Sequence, residues 1–155
     1  MTSTTNPGNA AVAEPRRVDQ LLAHYGESHQ NPRNELIHFI AIPLIMLSVV
    51  GMLFAIHPWV AYAFTAASMV YYIRLSTVFL LTMALWTALS IALVFAMGSK
   101  VLPISIAIFV GAWIMQFVGH KLEGKKPSFF EDIQYLWVGP LFVLSKLFEK
   151  LGIRW

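Results

Sequence analysis

The chain contains no cysteine, so disulfides, iron–sulfur clusters, thiolate nucleophiles and zinc fingers are excluded together. A metal would have to be held by His, Asp, Glu, Tyr or backbone oxygen, and the histidines His24, His29, His38, His57 and His120 are the first candidates. Two of them belong to polar stripes. Asn34 and His38 stand four residues apart on one helix face, and Trp113, Gln116, His120 and Glu123 recur at helical spacing. Gln116 is the sole side-chain amide within the apolar segments, where polar groups normally face a bundle interior or a cavity. His120 and Glu123 are able to present both side chains to one ion, as His and Glu do in carboxylate-bridged helical bundles. Pro43 frees the carbonyl of Phe39, beside His38, for another partner. This pattern suits a metal or catalytic site, and it equally suits histidines that only line a polar vestibule. His57 is read as a headgroup contact, and His24, on an amphipathic helix, is as well suited to water as to a site.

The elements that must position these residues are membrane helices. Of 155 residues, 57% are hydrophobic and 12% charged, about half the usual charged share of about 25%, and the mean hydropathy is +0.65. Between Leu36 and Gly119 the only ionised side chains are Arg74 and Lys100. A water-soluble surface cannot be covered from that supply, so globular, disordered and fibrous classes are excluded. The expected fold class is all-α: an integral membrane helical bundle of four transmembrane helices, with an N-terminal interfacial helix and a C-terminal re-entrant or interfacial helix. Residues 1–17 read as a disordered tail without a signal-peptide core, and residues 18–155 as a single membrane-embedded domain.

Val18, Leu21, Leu22 and Tyr25 mark the interfacial helix. Asn31-Pro32 is a cap followed by a first-turn proline. The apolar segments are Leu36–Ile56, about Trp59–Ile73, Val78–Met97 and Val101–Gly119, separated by His57-Pro58, Arg74 and Gly98-Ser99-Lys100. Ala84, Ala88, Ala92 and Ala96 form a small-residue stripe expected to pack against a neighbouring helix. Ser128 with Glu131 reads as a capping box and Asp132 as a dipole partner, opening a last helix that Gly139-Pro140 breaks. With four spans, every Lys and Arg except Lys100 falls on one side, which by the positive-inside rule is cytoplasmic and holds both termini. All histidines but His57 share that face, and His38 and His120 are able to converge. Because the basic residues flank apolar segments, the net charge of +3 implies membrane lipids as partners and no nucleic acid.

These residues resemble a known family. The stretch HQNPRNELIH from His29 to His38, running into FIAIP, is similar to the first signature of the Mpo-like 2-hydroxy fatty acid dioxygenases, and WIMQFVGHKLEGKKPSFFED from Trp113 is similar to their second. The resemblance spans roughly Tyr25 to Pro140. It implies a non-haem Fe(2+) enzyme of fatty acid α-oxidation, which uses O2 to convert a 2-hydroxy fatty acid to the acid one carbon shorter. The family's motif histidines fall on His29, His38 and His120 as metal ligands, with Tyr25, Asn34, Gln116, Glu123 and Pro127 at the accompanying positions. Two other readings compete: a haem protein with His38 and His120 as axial ligands, and a non-enzymatic lipid-binding bundle. The expected location is a bacterial inner membrane, or the endoplasmic reticulum in a eukaryote, with the site at the cytoplasmic face.

Overall fold

The structure is a computed structural model that describes residues 14–27, 29–124 and 135–155. Among them every regular element is helical: α1 (Arg17–Gly26), α2 (Pro32–Ile56), α3 (Pro58–Ile73), α4 (Thr77–Met97), a short 3-10 turn (Gly98–Lys100), α5 (Val101–Glu123) and α6 (Val138–Leu151). The expected breaks are where the chain turns. Asn31 caps α2 by accepting from the Arg33 amide at 2.9 Å, with Pro32 in the first turn where its missing N–H costs nothing. His57 caps α3, its Nδ1 accepting from the Trp59 amide at 3.3 Å. His57 is otherwise exposed. Pro43 lies inside α2 without ending it.

Helix α5 returns antiparallel along α2, and this pair is the spine of the molecule. Ala41 and Ile45 pack with Ala112 and Trp113 in mid-helix, and Leu47 and Val50 gather with Ala61 and Val94 toward the other end. Close approach is permitted by glycines. A Cβ on Gly51 would run into Ser105, and one on Gly119 into Asn34 Oδ1. Small residues bring membrane helices together in this way, because packing replaces the hydrophobic drive between them. Helices α1 and α6 cross the end that carries the histidines. Val18, Met46, Tyr72, Phe79, Leu141 and Phe148 form their shared core with α2, α3 and α4. Tyr72 donates to the Trp137 carbonyl at 3.2 Å, Trp137 donates to Ser68 at 2.9 Å, and Arg16 bonds the Trp155 carbonyl.

The outer surface is more apolar than that of a water-soluble bundle. Large apolar side chains such as Leu81, Leu85, Phe95, Ile106 and Ile114 are exposed, whereas Ser48, Ser68, Ser90 and Ser105 are buried. Ser48 and Ser68 are satisfied by carbonyls of their own helices at 2.7 and 2.9 Å. Two helical runs are long and apolar enough to cross a membrane: Pro32–Ile56, and Thr77–Glu123, which passes through the 3-10 turn. α3, at 16 residues, is about 24 Å long.

Two sequence expectations are corrected. The Ala84, Ala88, Ala92 and Ala96 stripe faces outward; α4 instead buries Phe79, Met83, Ser90 and Val94, because larger side chains on that face fill the space beside α2. Gly139-Pro140 does not break the last helix but opens it, lying in the first turn of α6, where an amide has no helical acceptor. At 14 residues α6 is about 21 Å long, short of the about 30 Å hydrocarbon core. Residues 1–13, Lys125, Lys126, Pro127 and the Ser128–Glu131 cap with Asp132 lie outside the described residues.

The α2–α5 contact is directly testable. Gly51→Ala is expected to destabilise the protein by about 1–3 kcal/mol through overpacking, and adding Ser105→Gly should recover much of that loss. Thermal unfolding in detergent, analysed as a double-mutant cycle, checks this; strictly additive effects would show that the two positions do not meet.

Candidate functional site

Three chain segments meet at the end of the spine. The last turn of α1 supplies Tyr25, and the turn that follows supplies His29, whose amide donates to the Gly26 carbonyl at 3.0 Å. The first turns of α2 supply Asn34 and His38, and the last turns of α5 supply Gln116, His120 and Glu123. His29, His38 and His120 converge there, with one candidate ligand atom from each within 4.8 Å of the others. Ring centroids lie 4.3 Å apart for His29 and His38, 5.2 Å for His38 and His120, and 5.7 Å for His29 and His120. All three are buried, His38 completely.

Two of the rings are oriented by backbone oxygen. His29 Nδ1 is 2.8 Å from the Tyr25 carbonyl, and His38 Nδ1 is 2.9 Å from the Asn34 carbonyl. A carbonyl only accepts, so each Nδ1 carries a proton, and in the neutral ring this leaves Nε2 as the nitrogen able to bind a metal. This is the tautomer of a neutral imidazole ligand held by a backbone partner. Tyr25 also stacks on His29, with centroids 4.2 Å apart and planes 7° from parallel, and Phe142 of α6 closes over both at 5.0 and 5.6 Å.

Glu123 sets the register of these parts. Its carboxylate accepts from the Gln30 amide at 2.7 Å, the Asn31 amide at 2.9 Å and Asn34 Nδ2 at 3.0 Å. It thereby sits at the N-terminus of α2, where backbone donors and the helix dipole both favour an anion. Asn31 adds a bond to the Leu122 carbonyl at 3.1 Å. Glu123 is absent from the histidine cluster; it ties the end of α5 to the turn that carries His29. Gly119 admits Asn34 against α5, and a Cβ there would also stand 3.4 Å from the His38 ring.

Beside the cluster are two openings of opposite character. An apolar cavity of about 300 Å³ between α2, α5 and the start of α6 reaches the site at Tyr25 and Gln116. A polar chamber of about 500 Å³ reaches it at His29 and is lined by Asp19, Glu27, Glu35 and Glu149, with Lys146 as the cation among its lining residues.

The residues singled out in the sequence are therefore largely brought together. Tyr25, His29, Asn34, His38, Gln116, His120 and Glu123 all belong to this corner of the fold. His24 does not: it is exposed, 3.6 Å from Glu27. His57 caps α3 through its contact with Trp59. Sequence reasoning overlooked Gly119 and Phe142. A glycine one residue before a candidate ligand is a signal of close approach, whereas nothing local marks Phe142.

The family model described as "2-hydroxy-palmitic acid dioxygenase Mpo1-like" matches residues 16–151, a span that includes every one of these positions. The chain belongs to the Mpo1-like family. Within it, the chain is similar to the 2-hydroxy-palmitic acid dioxygenase MPO1 of Saccharomyces cerevisiae, with 30% identity over 138 residues, covering 84% of this chain and 79% of the relative. No solved structure matches the chain.

For this Mpo1-like chain, Glu123→Ala is expected to cost about 1–2 kcal/mol of stability, the low end for loss of bonds to a charged, half-buried acceptor. Glu123→Gln keeps one acceptor oxygen and should lose about half as much. Thermal unfolding of both variants measures the difference, and an unchanged stability in Glu123→Gln would show that the carboxylate charge is irrelevant to the clamp.

Proposed function

We propose that the protein is an Fe(2+)-dependent dioxygenase that uses O2 to convert 2-hydroxy fatty acids to fatty acids one carbon shorter, with His29, His38 and His120 as the metal ligands. The observation that carries this reading is the buried convergence of three imidazole nitrogens within 4.8 Å. Bonds of about 2.1 Å from each ring to one ion would draw such atoms to within about 4.2 Å of one another, so the cluster is close to a three-nitrogen site. The donor set fits: neutral imidazoles without thiolate, leaving positions open, suit Fe(2+) in oxygen chemistry. Bound there, iron supplies the one-electron reactivity toward O2 that organic side chains lack. The residues of the chain do the positioning. The Tyr25 and Asn34 carbonyls hold the His29 and His38 protons on Nδ1, stacking by Tyr25 fixes the plane of His29, and Glu123 keeps α2 and α5 in register.

The substrate in the relative's name, 2-hydroxy-palmitic acid, matches the surroundings. Such an acid offers two adjacent oxygen groups at one end and an alkyl chain at the other. The site likewise stands between a polar chamber and an apolar cavity. The proposal includes a membrane setting in which α2 to α5 cross as four spans and α1 and α6 lie at the cytoplasmic face. Exposed apolar side chains along the helices and the bias of Lys and Arg to one side support it.

Purified protein should contain stoichiometric iron without a Soret band and should convert a 2-hydroxy fatty acid to its shorter product. A Soret band would turn the reading to haem, and absence of any bound metal would turn it to a lipid-binding bundle. His29→Ala, His38→Ala and His120→Ala are each expected to remove most iron and all turnover, with double variants scarcely worse than single ones, because such ligands act as a unit. His24→Ala and His57→Ala should retain both. Normal iron and turnover in a folded His38→Ala variant would refute the assignment.

Reporter fusions after residue 155 should be active only on the cytoplasmic side. A signal from the opposite side would mean that the spans are not four.

A further inference from the structure

From His38, the residues Ile42, Ile45, Val49 and Met52 continue one face of α2, and from His120 the residues Gln116, Trp113 and Phe109 continue one face of α5 in the opposite chain direction. These two stripes are the long walls of the apolar cavity, which Leu136, in the turn before α6, and Gly139 and Pro140 of α6 also line. The histidines thus stand at the head of a slot. Along α2 from Ile42 to Met52 it runs about 15 Å, which is half of the about 30 Å hydrocarbon core and therefore the reach of one lipid acyl chain. Its polarity is graded. Tyr25 and Gln116 lie at the end nearest the histidines, and Val49, Met52 and Phe109 at the far end. Gln116 is buried, and its Oε1 has no hydrogen-bond partner among the described residues. An acceptor left at the mouth of an apolar slot marks where the polar head of an amphiphile begins, and a 2-hydroxyl group is a donor suited to it.

We infer that this slot holds the acyl chain of the substrate, and that Met52 and Phe109, the lining residues of α2 and α5 farthest along the chain from the histidines, set the longest chain the enzyme accepts. The inference rests on the dioxygenase reading above. The polar chamber does not serve the chain, because its walls carry four carboxylates and Lys146, and charged walls disfavour an alkyl tail. A second apolar cavity of about 340 Å³ lies on the other side of Ile42 and Pro140, between α2, α4 and α6, and is lined by Trp86 and Leu89. Its lining includes none of Tyr25, Gln116 or the three clustered histidines, which makes it an internal control.

Two measurements test this. The first is the chain-length profile of the iron-loaded enzyme on a series of saturated 2-hydroxy fatty acids. Met52→Trp should lower kcat/KM for the longest good substrate by about 10-fold or more relative to shorter ones, since one methylene in an apolar pocket is worth about 10- to 200-fold. Phe109→Ala should move the optimum toward longer chains, and Leu89→Trp in the second cavity should leave the profile unchanged. The second measurement needs neither iron nor turnover. In metal-free variants retaining a single tryptophan, a 2-hydroxy fatty acid brominated on its chain should quench Trp113 and not Trp86, and an excess of the unlabelled acid should reverse it. Unchanged profiles in Met52→Trp and Phe109→Ala, a shift caused by Leu89→Trp, or reversible quenching of Trp86 alone would overturn the inference. If the wild-type protein turns over no 2-hydroxy acid at any length, the dioxygenase reading fails, whereas turnover with unmoved profiles sinks only the assignment of the slot.

Discussion

The carboxylate of Glu123, held by the amides that lead into α2, is the interaction on which the site depends. Glu123 stands in the last turn of α5, where its own helix dipole disfavours an anion. Across the gap, the N-terminus of α2 offers it the Gln30 and Asn31 amides and the Asn34 side chain. One helix end therefore supplies what the other lacks, and the bonds fix the two antiparallel helices lengthwise. His38 and His120 inherit their relative height from that register, and His29 inherits its place from the turn that donates to Glu123. A slip of one residue along α5 would rotate His120 by about 100° away from the cluster.

Around this clamp, apolar side chains lie on the outside and polar ones gather inside, and two helical runs are long and apolar enough to cross a membrane. Large side chains face outward along α4 and α5, while serines and the histidine cluster lie inside. Helices cross hydrocarbon because their backbone groups are satisfied internally, and buried hydroxyls such as Ser48 follow the same rule by bonding carbonyls of their own helix. The cluster lies where polar and apolar interiors meet, with carboxylates lining one side and alkyl side chains the other. A molecule that is polar at one end and apolar at the other fits such a boundary better than a molecule that is either throughout.

Much of this architecture was legible in the residues. Long apolar runs interrupted by His57-Pro58, Arg74 and Gly98-Ser99-Lys100 admit few alternatives, and the helix limits follow them closely. Local chemistry was less reliable where two causes compete. Proline after glycine disrupts a helix interior and also suits a helix start, and at Gly139-Pro140 the second applies because α6 begins there to cover Tyr25. A stripe of alanines permits close packing without compelling it, and α4 turned its bulkier face inward.

The sequence by itself determined that the chain is helical and rich in apolar residues, that it has no thiolate to offer, and that His38 and His120 sit at corresponding ends of two apolar helices. These follow from composition and local periodicity, which each segment carries alone. Only the tertiary structure decided that His24 stands apart from the cluster, that Glu123 clamps a helix terminus, and that Phe142 covers the site. Those outcomes depend on rotation, height and approach between segments distant in the chain. They are set by the fit of Gly119 to Asn34 and by the bonds Glu123 makes across about ninety residues, a relation that no periodicity within one segment encodes.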